Sequence, residues 1–189
     1  MSLEHTHCGP KTDPTLFARV SRLVVSSDSI TDVLQTILTH AVEACHAARG
    51  FLAIADHDRG ELDVRFTAGS GWTEEKRLGR LKVSEETGGG ITSLVAATAQ
   101  PYRSGNVLED PYYIRFFDDV RSELAVPLAD GFGRTRGVLN VESTEHDAFT
   151  DDHQSALSAL ADLAVIALTV ADHRAREAAL VEMGKELSR

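Results

Sequence analysis

Cysteine is scarce in this chain. There are two in 189 residues, Cys8 in a polar opening segment and Cys45 at the end of an apolar helical stretch. Two cysteines so placed make no disulfide framework, which points to a reducing, cytoplasmic setting. Basic residues are also short, 19 Lys and Arg against 29 Asp and Glu, for a formal net charge of −10. That balance argues against nonspecific nucleic-acid binding and against docking on anionic membranes, while a small anionic ligand stays open because local charge departs from the total. No apolar run is read as long enough for a membrane span, and the first ten residues, MSLEHTHCGP, lack the apolar core of a signal peptide. Three chemical signatures are missing as well: zinc-type Cys/His spacing, a GxxxxGK(S/T) phosphate loop and a GxSxG nucleophile elbow.

What is present is an ordinary globular balance, 42% hydrophobic and 25% charged, in a chain long enough for one full core. After a leader expected to be disordered (1–14), Leu16, Val20, Leu23 and Val24 recur at helical spacing. A stronger helix begins at Ser29, with Val33, Leu34, Ile37, Leu38, Ala41, Val42 and Cys45 on its apolar face. FLAIAD (51–56) and the alternating ELDVRFTAG (61–69) form a hairpin. A polar, uneven stretch with a short strand at 80–83 leads to Gly88–Gly90, a flexible entry to the helix ITSLVAATAQ (91–100), which Pro101 ends. A brief strand at Tyr102 and Arg103 precedes GNVLEDPYYIRFFDDV, where acids and aromatics concentrate and Asp110-Pro111 favours a turn. RSELAVPLADGFGRTRGVLNVES is a second hairpin, with Pro127 expected near a strand end or a bulge because it donates no ladder hydrogen bond. Thr150 or Asp151 then caps a helix running from Asp152 to near the C-terminus. Hairpins without βαβ repeats mean a mainly antiparallel sheet with packed helices, an α+β fold.

The segments RSELAVPL, GVLNVES, AFTDDH and LSALADLAVIAL, preceded by GGGITSLVAATAQPYRSGNVLEDPYY, resemble the GAF domain, a small-molecule-sensing module of signalling proteins. The resemblance implies a six-stranded antiparallel sheet. Terminal helices would cover one face, and loops and short helices would enclose a pocket on the other. It assigns 15–171 to the GAF domain and 172–189 to a signalling-helix extension toward an absent output domain, such as a histidine kinase of a two-component system or a transcription regulator.

Specialised members of the family fit poorly. Asn140 and Phe149 match the cyclic-nucleotide signature, but Val141 replaces its Lys, and His153 and Gln154 replace its Asp-Glu, so the signature ion pair cannot form. Cys45-His46 resembles a bilin-attachment pair but ends a helix ahead of the first strand. His40, His46, His57, His146, His153 and His173 all lie outside 69–130, where a haem ligand would be needed. Neither cysteine falls in the pocket loops that serve methionine-sulfoxide-reducing members.

The pocket is expected to be apolar with a few convergent polar groups. Candidates are Phe51 and Ala53 on the first strand, Ile91 and Val95 on the short helix, and Asp110, Tyr112, Tyr113, Phe116 and Phe117, with Asp119 nearby. Trp72 either caps the pocket or packs on the sheet. The aromatic–acidic stretch reads equally as a mobile helix covering the core. Arg121 and Glu123 share one face of an alternating strand, either as an anion clamp or as a salt-bridged strand end. The tail HRAREAALVEMGKELSR carries a thin apolar stripe with Leu180, Val181 and Leu187, which pairing with a second copy would bury. The expectation is a non-catalytic, cofactor-free sensor of an unidentified small molecule, homodimeric through its terminal helices, cytoplasmic, without nucleic-acid or membrane partners. The rivals are a ligand-free dimerisation scaffold and a sulfoxide-reductase-type enzyme that would need Cys45.

Overall fold

The computed structural model describes residues 18, 21–22, 29–77 and 79–187. The leader, Cys8 and most of the first helical segment lie outside them; Ala18, Ser21 and Arg22 are helical. The elements run α1 (Ile30–Ala44), β1 (Arg49–Asp56), β2 (Glu61–Gly69), α2 (Glu74–Arg77), β3 (Arg80–Lys82), α3 (Ile91–Thr98), β4 (Tyr102–Ser104), β5 (Ser122–Ala129), β6 (Thr135–Ser143) and α4 (Asp151–Leu187). The six strands form one sheet in the order β3-β2-β1-β6-β5-β4, and each neighbouring pair is antiparallel.

Ser29 starts α1 by accepting a hydrogen bond at its hydroxyl from the Asp32 N–H, 3.2 Å. Val33, Leu34, Ile37, Leu38 and Ala41 then recur at helical spacing and are all buried. They meet Leu157, Leu160, Leu163, Ala164 and Ala167 of α4 over one face of the sheet, which contributes Leu52, Leu124, Val126, Leu128, Leu139 and Val141. At the start of α4, the Thr150 hydroxyl accepts from the His153 N–H while His153 Nδ1 accepts from the Thr150 N–H, 3.3 and 3.2 Å. Two orphan amides are thereby satisfied reciprocally, and burial with His46 nearby holds the His153 imidazole below its ordinary pKa, in the neutral form this cap requires.

The expectation about apolar runs needs correction. Within α4, an 18-residue window of mean hydropathy 1.6 is long and apolar enough to cross a membrane by length and composition. Its Leu and Ala positions at 157, 160, 161, 163, 164 and 167 are buried in the sheet core, so packing explains the hydropathy. From Asp172 to Glu186 every side chain is exposed.

The other sheet face has its own core, Phe51, Ala53, Leu62, Ala125 and Val138 beneath Ile91, Val95, Val107, Phe117 and Val120. Pro127 sits where the β5–β6 register shifts, as its missing donor demands. Two loop readings change. Residues 74–77 form a short helix that the polar pattern did not reveal. The stretch 110–120 is a chain of turns and not a helix; the Asp110 carboxylate accepts from the Tyr112 N–H and the Tyr102 hydroxyl, 2.9 and 3.0 Å, and ties the backbone down there.

Candidate functional site

Strand alternation and register together build a ladder of side chains on the face opposite the two long helices. One rung runs Arg49, Glu142, Glu123 and Ser104 across β1, β6, β5 and β4. The next runs Phe51, Asn140, Ala125 and Tyr102. The one after that, Ala53 and Val138, is apolar. The sheet face therefore grades from charged to apolar within three rungs.

Above it lies a cavity of about 80 Å³. Its walls are Phe51, Val64, Trp72, Leu81, Ile91, Thr92, Ile114 and Phe116, with Gly79, Arg80 and Gly90 also on its boundary. Glu123 and Glu142 complete the lining. Trp72 is the aromatic hub, with ring centroids 5.9 Å from Phe51, 6.2 Å from Phe116 and 5.1 Å from Phe117. Its indole N–H donates to the Ala68 carbonyl, 3.0 Å, which fixes the ring against β2.

The two carboxyl groups are cross-strand partners and both are buried, Glu123 at 5% and Glu142 at 3% exposure. Burial pushes Glu123 well above the ordinary carboxyl range, reinforced by the neighbouring Glu142 and Asp110 charges. Burial likewise pushes Glu142 up to about 7, with Arg49 pulling the other way. With its side-chain amide oriented to satisfy its neighbours, Asn140 donates to Glu123 Oε1 at 2.9 Å and to the Leu124 carbonyl at 3.3 Å. Among the described residues, Glu142 Oε2 has no hydrogen-bond partner, and neither has Arg49 Nε.

Arg49 is held on its other side. Its terminal nitrogens donate to both carboxylate oxygens of Asp119, 2.7 and 2.6 Å, and its guanidinium stacks 4.1 Å from the Phe117 ring centroid. The same pairing holds Asp119 below the ordinary carboxylate range. The 110–120 segment is thus clamped to the sheet by one bidentate pair and one aromatic stack.

Of the expected pocket residues, Phe51, Ile91, Phe116 and Glu123 line the cavity. Ala53, Val95 and Phe117 lie in the core around it, and Tyr112 and Tyr113 pack against that core. Asp110 braces a turn. Arg121 precedes β5 and is not in the cavity lining, and its guanidinium donates to the Asp118 and Val120 carbonyls, 3.0 and 2.8 Å. The arginine beside the site is Arg49, which was missed because β1 begins two residues earlier than FLAIAD suggests. Glu142 was missed because its position opposite Glu123 depends on the β5–β6 register.

The Gly88–Gly90 segment offers no free amide to an anion. Its three N–H groups donate to the Pro111, Glu86 and Tyr112 carbonyls, at 2.8, 3.0 and 2.9 Å. Gly90 is needed there for its φ of 100°, which turns the chain into α3. Among the described residues, no group of three or more His, Cys, Asp and Glu is placed to hold a metal ion.

No curated protein matches the chain significantly. Solved structures match its fold. The GAF domain of a phosphoenolpyruvate-protein phosphotransferase from Coxiella burnetii superposes with a TM-score of 0.71 at 22% identity, covering 87% of this chain and 95% of that one. Free methionine-R-sulfoxide reductase from Neisseria meningitidis, in complex with its substrate, superposes at 0.72 with 19% identity, covering 84% and 89%. A methyl-accepting chemotaxis protein segment gives 0.66 at 17% identity, covering 83% and 96%. The family model for the GAF domain matches residues 27–169, and with the sheet order and helix placement above, the chain belongs to the GAF domain family.

Proposed function

We propose that this GAF domain is a non-catalytic regulatory sensor that binds a small molecule between the sheet and the 110–120 segment and relays the change through α4. The observation that carries this reading is the cavity itself: aromatic walls over a floor where the buried Glu142 Oε2 has no hydrogen-bond partner among the described residues. Buried polar groups are otherwise almost always satisfied, so such atoms mark a place for a partner. The relay has a short path. On β6, Glu142 lines the cavity and Asn140 shares its sheet face, while Leu139 and Val141 lie in the core under α1 and α4.

A sulfoxide-reducing role would need a reactive thiol in the pocket. Among the described residues the free thiol is Cys45. It lies in the core on the opposite sheet face, and burial pushes it up to about 12, which leaves no thiolate at neutral pH.

The exposed end of α4 carries Leu180, Val181 and Met183 at 67%, 59% and 58% exposure. A thin apolar stripe on a projecting helix favours pairing with a second copy, and a homodimer delivering its signal to an output domain of a larger cytoplasmic signalling protein fits it. One observation favours the scaffold alternative. A cavity of about 80 Å³ is small against the roughly 300–1,000 Å³ of drug-sized sites.

Native mass spectrometry of the purified chain, set against its denatured mass, tests these readings. A reproducible excess mass on a native dimer is the expected result. A bare dimer supports the scaffold, and a bare monomer removes the pairing through α4.

A further inference from the structure

Resting on the sensor reading, we infer that the cavity is a site for a small organic cation: a protonated amine of about three or four heavy atoms with a short apolar body. Volume sets the size. A cavity of 150 Å³ accommodates benzene, so about 80 Å³ holds little more than half as much. Hydrogen bonding sets the donor side. Glu142 Oε2 is an acceptor without a partner on a side chain 3% exposed, and it lines the cavity.

Charge selects a cation over a neutral donor. Two carboxyl groups, Glu123 and Glu142, form the floor. The neighbouring Arg49 does not line the cavity and commits both terminal nitrogens to Asp119. Arg80, the one basic group among the described lining residues, is a half-exposed rim residue with its Nε 3.2 Å from the Asp63 carboxylate. An anion entering here would meet a buried carboxyl, which is costly, while among the described residues the neighbouring cations Arg49 and Lys76 lie outside the lining.

The walls suit the same ligand. Phe51, Trp72 and Phe116 give an ammonium π-faces and its alkyl part apolar surface. Phe116 and the neighbouring Phe117 already border an ammonium. Lys76 on α2 sits with Nζ 3.9 Å from the Phe117 ring centroid and 5.5 Å from that of Phe116, and its charge acts on Glu142 from outside the cavity. An incoming cation therefore competes with Lys76 for the same carboxyl field.

The test uses three probes of equal heavy-atom count: n-propylammonium chloride, 1-propanol and sodium acetate. Each is titrated into the full chain at constant ionic strength, and the Trp72 indole and Gly90 amide NMR signals are followed. n-Propylammonium should bind tightest, by roughly tenfold over either other probe, the worth of one charge-assisted hydrogen bond. Glu142→Gln should erase that preference, and Lys76→Met should tighten the ammonium about twofold or more without changing 1-propanol. If 1-propanol or acetate binds as well as the ammonium, the cation assignment is wrong and the cavity stands as a site of other chemistry. If no probe moves either signal up to about 50 mM, where a ligand of this size should register, both the assignment and the cavity's sensing role fall. The comparison among probes on the unaltered chain decides the matter even if a variant folds poorly.

Discussion

The two faces of the sheet are built from the same strands and follow opposite rules. On β6, Leu139 and Val141 sit fully buried in hydrocarbon beneath α1 and α4, while Asn140 and Glu142 between them are just as buried but polar. On β5, Leu124 and Val126 alternate with Glu123 in the same way. The helix face gains stability from every side chain it hides. The cavity face hides carboxyl groups at a net cost that is partly offset by Asn140 and Arg49. Function is to be sought on the face where burial works against the fold.

The largest effects should come from the helix face. Leu139→Ala leaves a cavity in the middle of the sheet and should cost about 3 kcal/mol, which chemical denaturation would read directly. In a domain of this size that corresponds to a melting point lower by roughly 6–12 °C. Next is the clamp on the cavity side. Asp119→Asn leaves Arg49, 2% exposed, without its bidentate partner. Losing one partner of a fully buried pair costs about 3–5 kcal/mol. Asp119 is 56% exposed and solvent screens it, so about 1–2 kcal/mol is expected, together with faster amide exchange across 110–120.

The floor should show the opposite sign. Glu142→Gln removes a buried charge and should stabilise the ligand-free chain by about 1–2 kcal/mol at neutral pH, while Leu139→Ala destabilises at any pH. The pH dependence sharpens the contrast. Glu142 titrates near the ordinary carboxyl value of 4.5 when unfolded and at about 7 when folded. Between those values Glu142 binds more protons in the folded chain than in the unfolded one, so its contribution to stability is full below 4.5 and is lost as pH rises through 7; Glu123, raised for the same reason, adds to the decline, and His153, lowered by burial, opposes it. Urea midpoints measured from pH 4.5 to 7.5 in the unaltered chain and in Glu142→Gln should diverge by this contribution, the variant losing less stability as pH rises. Profiles that run parallel in the two chains would mean that Glu142 is ionised and well solvated across the window.

Legibility divides along the same line. The helix-face core was readable because helical spacing and strand alternation are local: Val33 to Ala41 and Leu157 to Ala167 declare their inward faces without knowledge of any partner. On the cavity face, only Phe51, Ile91, Phe116 and Glu123 were read into the lining, each from its own strand, helix or aromatic cluster. Arg49 and Glu142 needed the strand boundary and the β5–β6 register. That register passes through an irregularity at Pro127 and a turn whose Asp130 side chain accepts from the Phe132 and Arg134 amides. The lid was hardest. Residues 110–120 follow no period, because they are held by single contacts such as Arg49–Asp119 and Asp110–Tyr102.

The smallest effect on the domain's own stability should come from the end of α4, which belongs to neither face. Leu180 and Met183 contribute to no core in the described chain, being 67% and 58% exposed. Leu180→Glu with Met183→Glu should therefore shift the denaturation midpoint by less than about 0.5 kcal/mol, the usual range for surface changes. If two copies pair through this stripe, the same substitution puts charges into a helix–helix seam, where polar residues are strongly disfavoured. Sedimentation of the doubly substituted chain should then show a folded monomer where the unaltered chain sediments as a dimer. A dimer that persists would place the self-association elsewhere, and the packed helices of the sheet core would be the next surface to test.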